Sequence, residues 1–165
     1  MKKLIILILI AVLVFVGFIN IMWYLLGGNV YSLEGSVENA ILDSNGGIII
    51  NEEDITEVPT YIVYRTKGIA IGLIAIRNSE GKVLVVINKC NSCEDAPNSY
   101  YILKDKKFQC KLCSNKIAID DLDKDGDCYP IKVEERKDED GQIIIGTKQL
   151  KDLKDRFKNW GGPTI

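Results

Sequence analysis

Residues 69–93 read IAIGLIAIRNSEGKVLVVINKCNSC. Two apolar, β-branched runs, 69–77 and 82–88, flank Asn78-Ser79-Glu80-Gly81, a cluster of turn formers, and are predicted to be strands. Within 69–76 nearly every side chain is apolar. A strand with one wet face would alternate, so this one is expected to be covered on both faces. Cys90 closes the second run and Cys93 follows it, so the end of an apolar strand leads straight into a C-x-x-C turn.

The same reading extends in both directions. Residues 60–66 form a third apolar run, separated from the next by Lys67-Gly68. Residues 35–42 and 47–51 flank Ser44-Asn45-Gly46-Gly47, a hairpin signal. An acidic link, 54–58, ends before Pro59, which biases Val58 to an extended conformation. Downstream of the cysteines, 130–135 and 142–146 are predicted to pair across Lys137-Asp138-Glu139-Asp140-Gly141. Leu150, Leu153 and Phe157, spaced i, i+3, i+7, mark one face of a short helix over 148–157. Trp160-Gly161-Gly162-Pro163 reads as a non-helical tail. The fold class expected is mainly β (α+β), with no internal repeat.

The 165 residues are 47% apolar and 27% charged with a formal charge of −2, and the average hides an asymmetry. Residues 4–26 carry no charge, and Asn20 is their one strongly polar side chain. As a helix these 23 residues span about 34 Å, which matches a hydrocarbon core of about 30 Å with slight tilt. Trp23 and Tyr24 sit where amphipathic rings favour the interface. Lys2 and Lys3 precede this stretch, and no basic residue follows until Arg65, while seven acidic residues intervene. The positive-inside rule therefore predicts a single-pass protein of the cell membrane with a cytoplasmic N-terminus and an extracytoplasmic domain. A cleaved signal peptide is the competing reading. Its apolar region usually runs about 7–15 residues, against 16 uninterrupted here in 4–19, and Val30-Tyr31-Ser32 is a late cleavage site. With no cysteine near the end of the span, lipoprotein processing is excluded. The organisation expected is a cytoplasmic tip (1–3), a transmembrane anchor (4–26), an N-terminal hairpin with an acidic link (27–58), a metal-binding domain (59–157) and a tail (158–165).

Beyond residue 26, 19 basic residues face 23 acidic ones, a charge of −4. That balance argues against a nucleic-acid partner, which needs a basic footprint. There is no histidine, so Ser–His–Asp and Cys–His catalysis, H-E-x-x-H zinc sites and imidazole-ligated metals are all excluded. No acid, base or nucleophile stands out, and catalysis in its own right is not expected.

The five cysteines carry the chemistry. Cys90-x-x-Cys93 and Cys110-x-x-Cys113 are separated by sixteen residues, and Cys128 follows after fourteen more. This is the spacing of a metal ribbon, in which each turn points two thiolates at one centre and two turns complete a tetrahedron. Residues 100–103 and 108–110 are suited to be the arms of a hairpin turning at 104–107, which brings the second pair beside the first. Disulfides compete, because the domain is read as extracytoplasmic, but five is odd and a bridge within C-x-x-C closes a small, easily reduced loop. A thioredoxin-like motif would open a helix, whereas Cys90 closes a strand and Pro97 follows soon after. All-thiolate ligation admits zinc, a single iron or an iron–sulfur cluster, and spacing does not choose among them. Lys104, Lys106, Lys107, Lys111 and Lys116 either offset the charge of an anionic centre or decorate a solvated hairpin. Tyr100, Tyr101 and Phe108 read as packing. Asp121-x-Asp123-x-Asp125-Gly126-Asp127 is similar to the start of a calcium loop, but its twelfth position is Lys132 and Pro130 blocks the exiting helix, so an acidic turn is expected.

From about residue 61 to 157 the chain resembles the FtrD-like membrane iron–sulfur-containing proteins of bacteria. The resemblance lies in the apolar strands and Glu80-Gly81-Lys82 turn leading to Cys90-Asn91-Ser92-Cys93, the tyrosine pair, Cys110-Lys111-Leu112-Cys113 and a Gly-x-Cys-x-Pro element. That element usually reads Gly-Gly-Cys-Asn-Pro; here it is Gly126-Asp127-Cys128-Tyr129-Pro130. The resemblance implies an iron–sulfur or other metal centre on a membrane-tethered domain, sometimes linked to ferrous iron uptake by electron transfer. The expected ligands are Cys90, Cys93, Cys110 and Cys113, with Cys128 a fifth, exchanging ligand or a thiol beside the site. The expected partners are the bilayer and an iron-transport or redox membrane protein. The rival reading is a zinc ribbon that staples the fold and presents a surface to a membrane partner.

Overall fold

The computed structural model describes residues 33–164 apart from Glu94 and Glu135, together with Phe15. The chain divides into two compact units, Met1–Ser32 and Leu33–Ile165. The predicted membrane span lies outside the described residues; among those described, no helix is long and apolar enough to cross a membrane.

In the second unit, β1 (Ser36–Asn39), β4 (Thr60–Thr66), β5 (Ile69–Arg77), β6 (Val83–Cys90) and β10 (Pro130–Lys132) form a five-stranded sheet in the order β1-β4-β5-β6-β10. The β4–β5 hairpin turns at Lys67-Gly68, both with positive φ (47° and 78°), the two-residue turn whose twist matches that of its strands. The expectation for β5 holds. Ile71, Leu73 and Ala75 pack into one apolar cluster and Ile74 and Ile76 into a second, so the strand is sealed on both faces.

The first cluster is covered by β2 (Ile41–Leu42), β3 (Ile48–Asn51), β11 (Arg136–Glu139) and β12 (Gln142–Ile145), in the order β11-β12-β3-β2, through Ile48, Ile50, Ile143 and Ile145. Leu150 of α1 (Lys148–Asp152) and Phe157 of the following 3-10 turn (Lys154–Phe157) close it. The expected helix is thus split into two short pieces that bury the predicted face. Trp160, in the non-helical tail, packs against Phe157 with ring centroids 5.6 Å apart and lies over Gly72, where an added Cβ would stand 2.1 Å from the indole. The second cluster is covered by a small sheet of β7 (Tyr101–Lys104), β8 (Lys107–Cys110) and β9 (Lys116–Ala118). Three layers result, with the cysteine layer on one face of the central sheet.

Two strand assignments need correction. Residues 35–42 are not one strand: β1 runs parallel to β4, and at Ala40, whose N–H donates to the Val63 carbonyl, the chain passes to β2 in the other sheet. The β2–β3 hairpin across the Asn45-Gly46 turn is as expected. The partner of β12 is β11, across Asp140-Gly141, and not residues 130–135. Lys137 and Asp138, read as loop, are in an edge strand, which has a solvated side and needs no apolar run. Pro130–Lys132 instead pairs with β6, with the register shifting at Pro130, which has no N–H to donate.

Candidate metal centre

Cys90 and Cys110 end strands β6 and β8, and their side chains are 0% exposed within the second apolar cluster. Strand alternation puts them there, since Leu84, Val86 and Cys90 share a face of β6 and Phe108 and Cys110 share a face of β8. Pairing of Tyr101 with Cys110, and of the Cys90 N–H with the Ser99 carbonyl (2.8 Å), then fixes the two strand ends relative to each other. The hairpin predicted over 100–110 is present, turning at Asp105-Lys106, both with positive φ. Buried Asn88 stitches β6 to β7 from its side chain. Its Oδ1 accepts from the Tyr101 N–H at 2.7 Å and its Nδ2 donates to the Tyr101 carbonyl at 3.2 Å.

The Sγ atoms of Cys90, Cys93, Cys110 and Cys113 all lie within 4.8 Å of one another, and those of Cys93 and Cys110 are 3.9 Å apart. The four residues chosen from spacing are therefore brought together from two turns. Exposure grades across them: Cys90 and Cys110 are buried, Cys93 is half-buried and Cys113 is exposed. Cys128 is half-buried and is not one of the group of four, although its thiol hydrogen-bonds to Cys113 and Ser92; its backbone carbonyl accepts from Tyr101 Oη (2.5 Å) and Asn115 Nδ2 (2.8 Å).

Crowding at the edge of a core disfavours ionisation of two of these thiols, Cys93 and Cys110. Burial, then the neighbouring thiols, pushes Cys93 well above the ordinary thiol range. Burial also pushes Cys110 up to about 11, although the N–H groups of Cys113 and Leu112 donate to its sulfur and oppose the shift. Cys113 is the exception. Burial, which would raise it, is outweighed by the Asn115 N–H and by hydrogen bonds from the surrounding thiols, so it lies below the ordinary value. Cys128 is raised, first by desolvation and then by Cys113 and Cys90. One thiolate, Cys113, is readily held, while Cys93 and Cys110 call for a cation beside them to ionise, as thiols of a ligand set do. All-sulfur donors at this separation fit a tetrahedral thiophilic metal.

The chain matches the family described as "Membrane iron-sulfur containing protein FtrD-like" over residues 45–157. It belongs to that family. No curated protein and no solved structure matches the chain. The FtrD-like match starts upstream of the resemblance seen from residue 61 and takes in β3, whose pairing with β12 makes it part of the same folded unit.

One neighbour of the site was not legible in the sequence. Lys89 is 0% exposed; its Nζ donates to the Ala96 carbonyl at 3.1 Å and sits 5.5 Å from the centre of the Phe157 ring. Burial, then Arg156, lowers its pKa, while Asp95 and the Cys93 and Cys90 sulfurs oppose the shift. The one available signal is its place between Asn88 and Cys90, at the end of a strand that is apolar up to Ile87. By contrast, Lys104, Lys107 and Lys116 are exposed, in strands whose Leu103, Phe108 and Ile117 are buried in the cluster holding Cys110. Tyr101 and Phe108 are buried packing residues, as expected, and Tyr100 is half-buried, edge-on to Trp160. The acidic run is not a converging carboxylate site: Asp121, Asp123 and Asp125 pair with Lys124, Lys82 and Lys132.

Proposed function

We propose that this FtrD-like protein is a membrane-anchored, extracytoplasmic electron carrier, whose thiolate-held iron centre exchanges single electrons with an iron-transport or redox protein of the same membrane. The observation that carries the reading is the graded thiol cluster: two ligands inside the core, one half-buried and one, Cys113, at the surface. Such a centre is insulated on one side and reachable on the other. Cys90, Cys93, Cys110 and Cys113 would hold the metal, and iron bound there supplies a one-electron couple.

The chain's own groups would set the properties of that couple. N–H donors from Leu112, Cys113 and Asn115 draw charge from the thiolates, and burial of Cys90 and Cys110 keeps water away. The Lys89 cation offsets negative charge from the far side of β6. The exposed lysines of β7–β9 offer an acidic partner a complementary face beside the Cys113 turn. Lys2, Lys3 and the uncharged 4–26 stretch support an anchor with the domain outside.

The test is the visible absorption of anaerobically purified full-length protein. Colour that bleaches on reduction and returns on oxidation is the expected result. A colourless chain loaded with zinc would overturn the electron carrier and leave the fold-stapling ribbon. Topology is tested separately by protease on intact cells stripped of their wall and any outer membrane, where loss of the domain is expected and protection would reverse the orientation.

A further inference from the structure

We infer that the site holds a single metal ion, bound by Cys90, Cys93, Cys110 and Cys113 only, and not a polynuclear cluster built with inorganic sulfide. The inference rests on the metal-centre reading above, but is independent of which metal is bound. A tetrahedral ion with metal–sulfur bonds of about 2.3 Å has ligand sulfurs about 3.8 Å apart along each edge. The Sγ atoms of Cys93 and Cys110, which come from different turns, are 3.9 Å apart, and no pair among the four exceeds 4.8 Å.

A cluster makes a different demand. Each iron spends two or three of its positions on bridging sulfides, so four cysteines must be shared among two or more irons. The iron–iron separation then adds to the reach, and thiolates on different irons stand more than about 5 Å apart. Whichever cysteines share an iron, the pairs that fall on different irons would have to open beyond the present 4.8 Å, with sulfide placed in the widened gap.

The surroundings resist that expansion. Cys90 and Cys110 end strands on either side of β7, with Tyr101 fully buried beside them. Their backbones are tied, the Cys90 N–H to the Ser99 carbonyl (2.8 Å) and the Cys110 N–H to the Asn115 carbonyl (2.9 Å). Two of the sulfurs are also held by backbone donors, Leu112 and Cys113 N–H to Cys110 and Asn115 N–H to Cys113. A tetrahedral ion also leaves no position for a fifth thiol. Cys128 is then a thiol beside the site, hydrogen-bonded to Cys113 without ligating, and its carbonyl is the acceptor for Tyr101 and Asn115.

The experiment uses the full chain, purified anaerobically in detergent, with iron, zinc, acid-labile sulfide and alkylatable thiols counted per chain. One metal ion, sulfide at background and one thiol open to alkylation in the loaded protein are expected; the Cys128→Ser variant should keep its metal and lose that thiol. Acid-labile sulfide equimolar with two or more irons per chain would overturn the inference, as would metal loss in Cys128→Ser. One zinc per chain without sulfide would uphold the single-ion site while refuting the electron carrier, so the two readings fail separately.

Discussion

The two C-x-x-C turns have the same pattern but are held in different ways. In the second, 110–113, the supports are local: Ser114 N–H to the Cys110 carbonyl, Cys110 N–H to Asn115, and Lys111 N–H to Tyr100. A positive φ of 60° at Ser114 closes it. In the first, 90–93, the supports come from far along the chain. The Asn91 N–H donates to the Tyr129 carbonyl, the Ser92 hydroxyl donates to the Asp127 carbonyl, and Arg156 donates to the Asn91 carbonyl at 3.0 Å. The second turn is therefore held chiefly by its own hairpin, with Asn115 Nδ2 to the Cys128 carbonyl tying it to 127–129, whereas the first is assembled only when 127–129 and the C-terminal turn have docked. Half of the metal site is local structure and half is tertiary structure.

The largest expected effect tests whether the inner cysteine of each turn carries more than its outer one. Cys110→Ser should lose the metal, and with it about 4 kcal/mol of linked stability at a thousandfold excess of free ion over Kd. It should also destabilise the metal-free protein, because it places a hydroxyl in the buried cluster. Cys113→Ser should weaken metal binding but leave metal-free stability within about 0.5 kcal/mol, since the side chain is exposed. Denaturant midpoints with and without chelator decide this, and equal losses in the metal-free state would break the comparison.

Next comes the packing that seats the C-terminal brace. Gly72→Ala would press a methyl into the Trp160 ring and displace the segment carrying Phe157 and Arg156. A cost of about 1–3 kcal/mol is expected, with faster amide exchange at Asn91 than at Lys111. Exchange rising equally in both turns would show that they are not independently supported. Arg156→Ala removes one brace directly, the bond to Asn91. About 0.5–1.5 kcal/mol should be lost, read as faster metal transfer to a competing chelator, with the second turn unaffected. The smallest effect is Cys128→Ser. The contacts to Tyr101 and Asn115 use its main-chain carbonyl, which the substitution keeps, so stability should change by less than about 1 kcal/mol. A larger loss would mean that the thiol itself holds the 127–129 segment against the first turn.

How far the chain could be read depended on how local each feature is. The doubly covered β5, the β4–β5 turn at Lys67-Gly68 and the 100–110 hairpin follow from side-chain type and turn chemistry within a few residues. The Asp140-Gly141 hairpin was equally local, yet the charges of 137–139 masked it, because an edge strand carries no apolar pattern. The break at Ala40 had no such signal: a short chain segment takes part in two sheets only because both sheets exist to receive it.

The sequence by itself determined the ligand chemistry, since a chain with five cysteines and no histidine can offer a soft metal only sulfur. It determined the family and the pairing of thiols within each turn, because C-x-x-C spacing is a local constraint. The tertiary structure decided which thiols face the core, which one reaches the surface, that Cys128 lies beside the group of four and not in it, and that Lys89 is buried beside them. Each of these depends on strand register and on layers formed by residues distant in the chain, and these set the exposure of each cysteine.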